Sequence, residues 1–342
     1  MRVAIYGAGS VGTILGAYLA KAGEALDLIS RNADHVAVLK KNGAHITGTV
    51  DFVQPVRALL PSEMSGKYDL IFLTTKQTEN QTVVKGLLPF LAKDGAICTM
   101  QNGLPELAIA EIVGIKHTYG CAIAWGATLM EAGVSALTSE PTREALTFSL
   151  GSLDGHQDDK YKEIIRLLSF MGNVVEEHNF IGARWVKLLV NSAFSGLSAV
   201  FGCTYGEVAA NKRSRLVAQK IIKECIEVAN AAKIKIEPIQ GKDVVKLLDY
   251  HNAFKQKISF LIIPLAIKKH RLLKASMLQD LEKGKKCEID AINGVVCLYG
   301  KKVSFPTPFN DRIVMIIRGF ENGSGHPGWE NLSRFDDLLE KR

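Results

Sequence analysis

Four apolar residues, Val3-Ala4-Ile5-Tyr6, lead straight into glycines at 7, 9 and 12, and apolar residues then recur at helical spacing as Val11, Ile14, Leu15, Tyr18 and Leu19. The run predicts a buried parallel strand, and the spacing predicts a helix that ends at Ala22-Gly23, where glycine stops it. Leu26, Leu28 and Ile29 predict a second strand. Beyond it the pattern predicts a helix over 35–41, short strands over 45–47 and 50–56, and a strand over 69–75. A helix over 79–91, a strand over 96–99, a helix over 104–113 and a strand over 117–124 follow, with further strands up to 136 and over 145–150. Strand and helix in alternation predict a Rossmann-type α/β domain, a doubly wound parallel sheet, over residues 1–177.

From Ile181 the period changes, and helices are predicted over 182–200, 213–232, 241–252, 276–282, 288–299 and 308–320, punctuated by Pro238, Pro264, Pro306 and Pro308. Residues 178–342 therefore form a second, all-helical domain, with a polar tail from Gly323 expected to pack loosely.

The glycines carry the first chemistry. Gly7 permits a tight turn, Gly9 lets backbone approach a pyrophosphate, and Gly12 lets helix and strand pack closely. Ala8, Ser10 and Val11 complete the turn and the helix start, whose N–H groups and partial positive charge favour an anion. An NAD site usually has an acidic residue at the end of the second strand, whereas this strand ends Ser30-Arg31-Asn32. A guanidinium there suits a 2′-phosphate, so Ser30 and Arg31 predict NADP(H) as the cofactor. Asp27, within the strand, is expected to point away from it. Lys76 follows the strand over 69–75 at its carboxyl end, where such sheets bind ligands. Gln101-Asn102-Gly103 holds the equivalent place after the next strand, and Asn102 reads equally as a turn residue or a contact to cofactor or substrate.

Composition changes the picture little. A chain of 342 residues, 47% hydrophobic and 23% charged, is an ordinary globular one with room for two domains. Its formal net charge is +7, but the Lys and Arg are scattered, and short clusters such as Lys268-Lys269-His270-Arg271 read as solvated faces, not a nucleic-acid surface. Cys98, Cys121, Cys203, Cys225, Cys287 and Cys297 form no Cys-x-x-Cys pair and read as reduced core residues of a cytoplasmic protein. Neither a signal peptide nor a transmembrane span is expected, and no metal ligands stand out.

The run from Trp185 to Phe201 is apolar nearly all round, yet it carries Lys187, with Asn191 and Ser195 at steps of four, each about 6 Å further along one face. An ammonium, an amide and a hydroxyl on one face of a buried helix read as an active site. The alternative is a lysine that snorkels to water. Ser276 and Gln279 have capping-box spacing, and a helix start of that kind also holds a substrate carboxylate. Glu288 opens a predicted helix, where the dipole favours a carboxylate with or without a function.

Taken in order, the glycine turn, Arg31, Lys76, Gln101-Asn102-Gly103, Lys187-x3-Asn191, and Ser276-Met-Leu-Gln-Asp280 followed by Glu288-Ile-Asp-x-x-Asn-Gly294 resemble the ketopantoate reductases (2-dehydropantoate 2-reductases) to about residue 320. The resemblance implies reduction of 2-dehydropantoate (ketopantoate) to pantoate by NADPH in pantothenate synthesis. It implies Lys187 as general acid, and Asn102, Asn191, Ser276 and Glu288 as holders of substrate or nicotinamide, with Lys76 beside the cofactor. A protonated ammonium suits a carbonyl that gains negative charge as hydride arrives. The family often has a substrate-binding asparagine where this chain has Ser195, and a substrate-binding Asn-Gly where it has Tyr205-Gly206. The departures leave a different 2-oxo acid as an alternative substrate, and a non-catalytic NADP-binding regulator is the alternative of another class. The stretch 254–270 is longer than usual and apolar over 260–267, which would reshape a pocket wall or pack between the subunits of a homodimer.

Overall fold

Strand β1 (Val3–Tyr6) lies between β2 (Leu26–Ile29) and β6 (Tyr68–Leu73) in the computed structural model, which describes residues 1–238 and 243–340. The other strands are β3 (Ala44–Gly48), β4 (Phe52–Gln54), β5 (Arg57–Leu59), β7 (Leu91–Thr99), β8 (Thr118–Ile123), β9 (Ala127–Glu131), β10 (Val134–Leu137), β11 (Thr147–Ser152) and β12 (Asn173–Glu176). The chain divides into two compact units, Met1–Gln101 with Pro105–Phe180, and Asn102–Leu104 with Ile181–Arg342.

The first unit holds an eight-stranded sheet in the order β12-β11-β8-β7-β6-β1-β2-β5. From β5 to β8 every pairing is parallel, the doubly wound order in which direction reverses between β1 and β6. Helices α1 (Ser10–Lys21), α2 (Ala33–Asn42), α3 (Asn80–Leu87), α4 (Glu106–Val113) and α5 (Asp159–Leu168) belong to this unit. Side chains alternate across the strands. Val3 and Ile5 join Ile14, Leu15 and Leu19 of α1 in one core, and Ala4 joins Val84, Leu87 and Ile109 of α3 and α4 in another.

Two additions lie outside the predicted pattern. β11 runs antiparallel to β8 and carries β12 parallel to itself. The short strands after α2 and β8 make a separate four-stranded sheet, β4-β3-β10-β9, which packs on α1. Its β3–β10 pairing joins His45 to Val134, a separation that local pattern does not reveal.

The second unit is helical: α6 (Phe180–Val190), α7 (Gly196–Phe201), α8 (Tyr205–Ala210), α9 (Lys212–Ala231), α10 (Val244–Leu248), α11 (Ala253–Ala266), α12 (Ser276–Glu282), α13 (Asn293–Lys302), α14 (Pro308–Glu321) and α15 (Asp336–Glu340). The start of the helix predicted over 241–252, positions 241 and 242, lies outside the described residues, and α10 is shorter than that prediction. The helix predicted over 288–299 divides into a 3-10 turn, Ile289–Ala291, and α13. The tail is packed, not loose: Leu332 and Phe335 are buried in the core, and Trp329 stacks on Phe201 at 5.1 Å.

Candidate active site

The glycine turn is built as its spacing demands. Gly7 has φ +110°, and a Cβ there would lie 2.6 Å from the Thr75 nitrogen. At Gly12 a Cβ would lie 2.6 Å from the Gly7 oxygen and 2.8 Å from Thr74 Oγ1. The N–H groups of Gly7 and Ala8 both donate to the Ile29 oxygen at 2.9 Å, hanging the turn on the end of β2. Thr74 Oγ1 donates to the Gly7 oxygen at 2.7 Å, fixing it to the end of β6 as well.

What remains fits an anionic dinucleotide. No side chain caps α1 from Gly9, and its first turn, which begins Ser10-Val11-Gly12, has no acidic residue. A Cβ added at Gly9 would meet nothing nearer than the Gly7 oxygen at 3.9 Å, so that face of the turn is open.

Beneath the turn sits His35, a buried residue that sequence reading passes over. Its Nδ1 accepts from the Gly133 N–H at 3.0 Å, and its Nε2 lies 3.2 Å from Thr13 Oγ1. Burial pushes its imidazole below the ordinary value, partly offset by a hydrogen bond to the Ala8 backbone.

At the end of β2, Ser30 Oγ accepts from the Asn32 N–H at 3.2 Å, and Asn32 Oδ1 caps α2 through the His35 N–H at 3.1 Å. Arg31 is exposed and meets Glu79 Oε2 at 2.5 Å. Asp27 is committed elsewhere: it accepts from Tyr68 Oη at 2.7 Å, Arg57 Nε at 3.1 Å and Arg2 Nη2 at 3.2 Å. Lys76 is exposed, three residues beyond the end of β6. Gln101, from the same motif as Asn102, ties the strand ends together: its Nε2 donates to the Thr75 oxygen at 2.8 Å and to Asn80 Oδ1 at 2.6 Å.

The second unit contains the other predicted residues. Asn102 is half-buried beside Gly103, whose φ is +73°, at a bend belonging to this unit. On α6, Trp185, Leu188 and Leu189 are in the core, and Trp185 Nε1 donates to the Cys225 oxygen at 3.0 Å. Half-buried Ala183 and Lys187 lie on the other side, and half-buried Asn191 follows Lys187 by four residues, at the first position beyond α6. Arg184, also on this helix, is 1% exposed, more deeply buried than half-buried Lys187.

The helix is not continuous as predicted: Asn191–Ser195 is a π-helical turn between α6 and α7. Such turns are wider by a residue and occur frequently at functional sites. Asn293 supports this one, its Nδ2 donating to the Ser192 oxygen at 3.0 Å and to Asn310 Oδ1 at 2.9 Å. Glu224 in turn accepts from the Phe309 N–H at 2.8 Å, the Asn310 N–H at 3.0 Å and Asn310 Nδ2 at 2.7 Å. Burial pushes the Glu224 carboxyl up to about 7, against those three hydrogen bonds, which favour its charged form. Gly196 makes room: a Cβ there would lie 2.8 Å from Asn293 Oδ1.

Ser195 and Tyr205, where the resemblance leads one to expect asparagines, meet. Ser195 Oγ and Tyr205 Oη lie 2.5 Å apart, buried, and Phe194 packs on the Tyr205 ring at 5.8 Å. Ser276 is the first residue of α12, the N-cap is Ala275, and no side chain caps the helix, so the predicted capping box does not form. α12 packs against α7 and the π turn. Glu288 is 9% exposed and precedes the 3-10 turn rather than opening a helix.

Among the described residues, Glu227, Asp249 and His251 could group around a metal, with ligand atoms within 4.8 Å of one another. The Lys223 ammonium is already there, 2.6 Å from Asp249 Oδ1 and paired with Glu227. None of the described helices is long and apolar enough to cross a membrane.

Residues 3–148 match the family model for ketopantoate reductase PanE/ApbA, and residues 179–321 match the model for its C-terminal part. The chain is 28% identical to the 2-dehydropantoate 2-reductase of Pyrococcus horikoshii over 329 residues, 95% of this chain and 99% of that one. It is 26% identical to the enzyme of the same name from Archaeoglobus fulgidus, over 94% and 98% of the two chains. Among solved structures, a PanE/ApbA family ketopantoate reductase from Ralstonia eutropha is similar at 25% identity, with TM-score 0.79 and coverage of 95% and 100%. A D-mandelate dehydrogenase solved with NADH and anilino(oxo)acetate shares the fold at TM-score 0.81 and 24% identity, over 95% and 99%.

Proposed function

The chain belongs to the ketopantoate reductase family of oxidoreductases, and from that membership we propose that it reduces 2-dehydropantoate to pantoate with NADPH, as a cytoplasmic enzyme of pantothenate synthesis. The observation that carries the reading is half-buried Lys187 on α6 with half-buried Asn191 four residues on, at the first position of the π-helical turn.

The reaction divides between cofactor and protein. A bound nicotinamide supplies the hydride. Lys187 holds the proton and delivers it to the carbonyl oxygen as that oxygen becomes negative. Asn102, Asn191, Ser276 and Glu288 orient the 2-oxo acid and the nicotinamide, and Lys76 adds positive charge beside the cofactor. Gly7 to Gly12 would hold the pyrophosphate, with the uncapped start of α1 supplying N–H groups to it. Ser30 and Arg31 hold the 2′-phosphate, a role supported by Asp27 being engaged with Arg2, Arg57 and Tyr68.

A second reading keeps the reaction and changes the substrate. It rests on the Ser195–Tyr205 hydrogen bond, which puts two mutually engaged hydroxyls where the resemblance expects amides. Turnover of a panel of 2-oxo acids with NADPH and NADH separates the two readings, and tight NADPH binding without turnover would favour a regulator. A homodimer is part of the proposal, supported by exposed Phe254, Leu261 and Leu265 along α11; light scattering on the eluting protein measures it.

A further inference from the structure

Arg31 is not alone at the end of β2. Its Nη1 lies 2.5 Å from Oε2 of Glu79, a residue 48 positions on in the chain. Glu79 occupies the N-cap position of α3, yet its carboxylate makes no capping hydrogen bond and reaches across to the guanidinium instead. β1 lies between β2 and β6, so the pair spans the end of β1, where the glycine turn begins. The Tyr6 hydroxyl registers both charges: burial raises its pKa most, Arg31 lowers it and Glu79 raises it. The two side chains are 66% and 53% exposed, so a ligand has access to both.

We propose that Glu79 is a specificity-determining residue that weakens this chain's preference for NADPH over NADH, by holding Arg31 and by offering a carboxylate to the ribose of the unphosphorylated cofactor. The proposal rests on Arg31 as reader of the 2′-phosphate. A 2′-phosphate and the Glu79 carboxylate compete for one guanidinium, and like charges then lie close together. An NADH ribose meets no such conflict, because its 2′-hydroxyl donates to a carboxylate, as it does at acidic residues elsewhere in this fold class. An exposed ion pair is weak, so the competition changes NADPH affinity by a few-fold and does not abolish its binding. The acidic residue missing from the end of β2 is thus supplied from the start of α3.

The test is fluorescence titration of NADPH and NADH against the full chain, its Glu79→Gln variant and its Arg31→Ala variant, at fixed ionic strength. Glu79→Gln should tighten NADPH about three- to tenfold and weaken NADH, and an unchanged NADH affinity would remove the ribose contact. Arg31→Ala should weaken NADPH selectively. Glu79→Gln that moves both cofactors equally, or neither, while Arg31→Ala still costs NADPH alone, would overturn the role of Glu79. Arg31→Ala that weakens both cofactors equally would overturn the phosphate-reader assignment and the proposal with it. Circular dichroism and melting temperature check that the variants, altered only at exposed side chains, remain folded.

Discussion

Ser195 and Tyr205 share one hydrogen bond, 2.5 Å between Oγ and Oη, with both residues less than a tenth exposed. The two positions at which the resemblance leads one to expect asparagines are therefore coupled through one contact. A buried hydroxyl that loses its partner costs more than the bond it made. Ser195→Ala and Tyr205→Phe should each destabilise the protein by about 1–2 kcal/mol, and the double variant should cost clearly less than the sum. Urea unfolding of all four proteins gives the coupling. Strictly additive costs would show that the two hydroxyls act independently.

Lys187→Ala should lower kcat by roughly 10²-fold or more, as expected when a general acid is removed. NADPH affinity should hardly change. Steady-state kinetics with a cofactor titration makes the comparison, and a near-normal kcat would take the lysine out of the reaction.

The π turn gives a prediction about position. Asn293→Ala removes the amide that the Ser192 oxygen accepts from and breaks the link to Asn310. The variant should lose about 1–3 kcal/mol of stability. It should also raise KM for the 2-oxo acid, because Asn191 and Ser195 are carried on that turn, while NADPH affinity is retained. Equal losses for substrate and cofactor would point to general unfolding rather than a displaced turn.

His35 makes stability depend on pH with a definite sign. Its Nδ1 accepts from the Gly133 N–H, so a proton there must break that bond. The folded-state pKa lies below the ordinary 6.5, and between the two values the unfolded chain binds the extra proton. The stabilisation is therefore fully present above pH 6.5 and is lost as pH falls toward the lowered value. Melting temperature should drop on acidification from pH 7 to 5, and His35→Gln should show a shallower drop. Identical slopes in the two proteins would remove His35 from the account.

Local chemistry was legible in the sequence, and long-range chemistry was not. The glycine turn is read from six consecutive residues, because each step in it is fixed by its immediate neighbours. Lys187 on α6 and Asn191 just beyond it are four residues apart, a spacing that needs no distant partner. The π turn that follows depends on Asn293, 101 positions away, and no spacing within 182–200 could announce it. Likewise Glu79 meets Arg31 only because β1 lies between β2 and β6. Ser276 and Gln279 had the right spacing for a capping box, yet the chain enters α12 one residue earlier, with Ala275 as the cap. The second sheet escaped because its strands are three to five residues long and pair across distant parts of the chain.

The proposed reaction is reduction of a 2-oxo acid with NADPH. The most direct measurement is the loss of NADPH absorbance when purified protein meets ketopantoate, beside a panel of other 2-oxo acids and with NADH in parallel. Turnover of ketopantoate with NADPH, and slower turnover with NADH, is the expected result. No turnover of any 2-oxo acid by protein that binds NADPH tightly would contradict it.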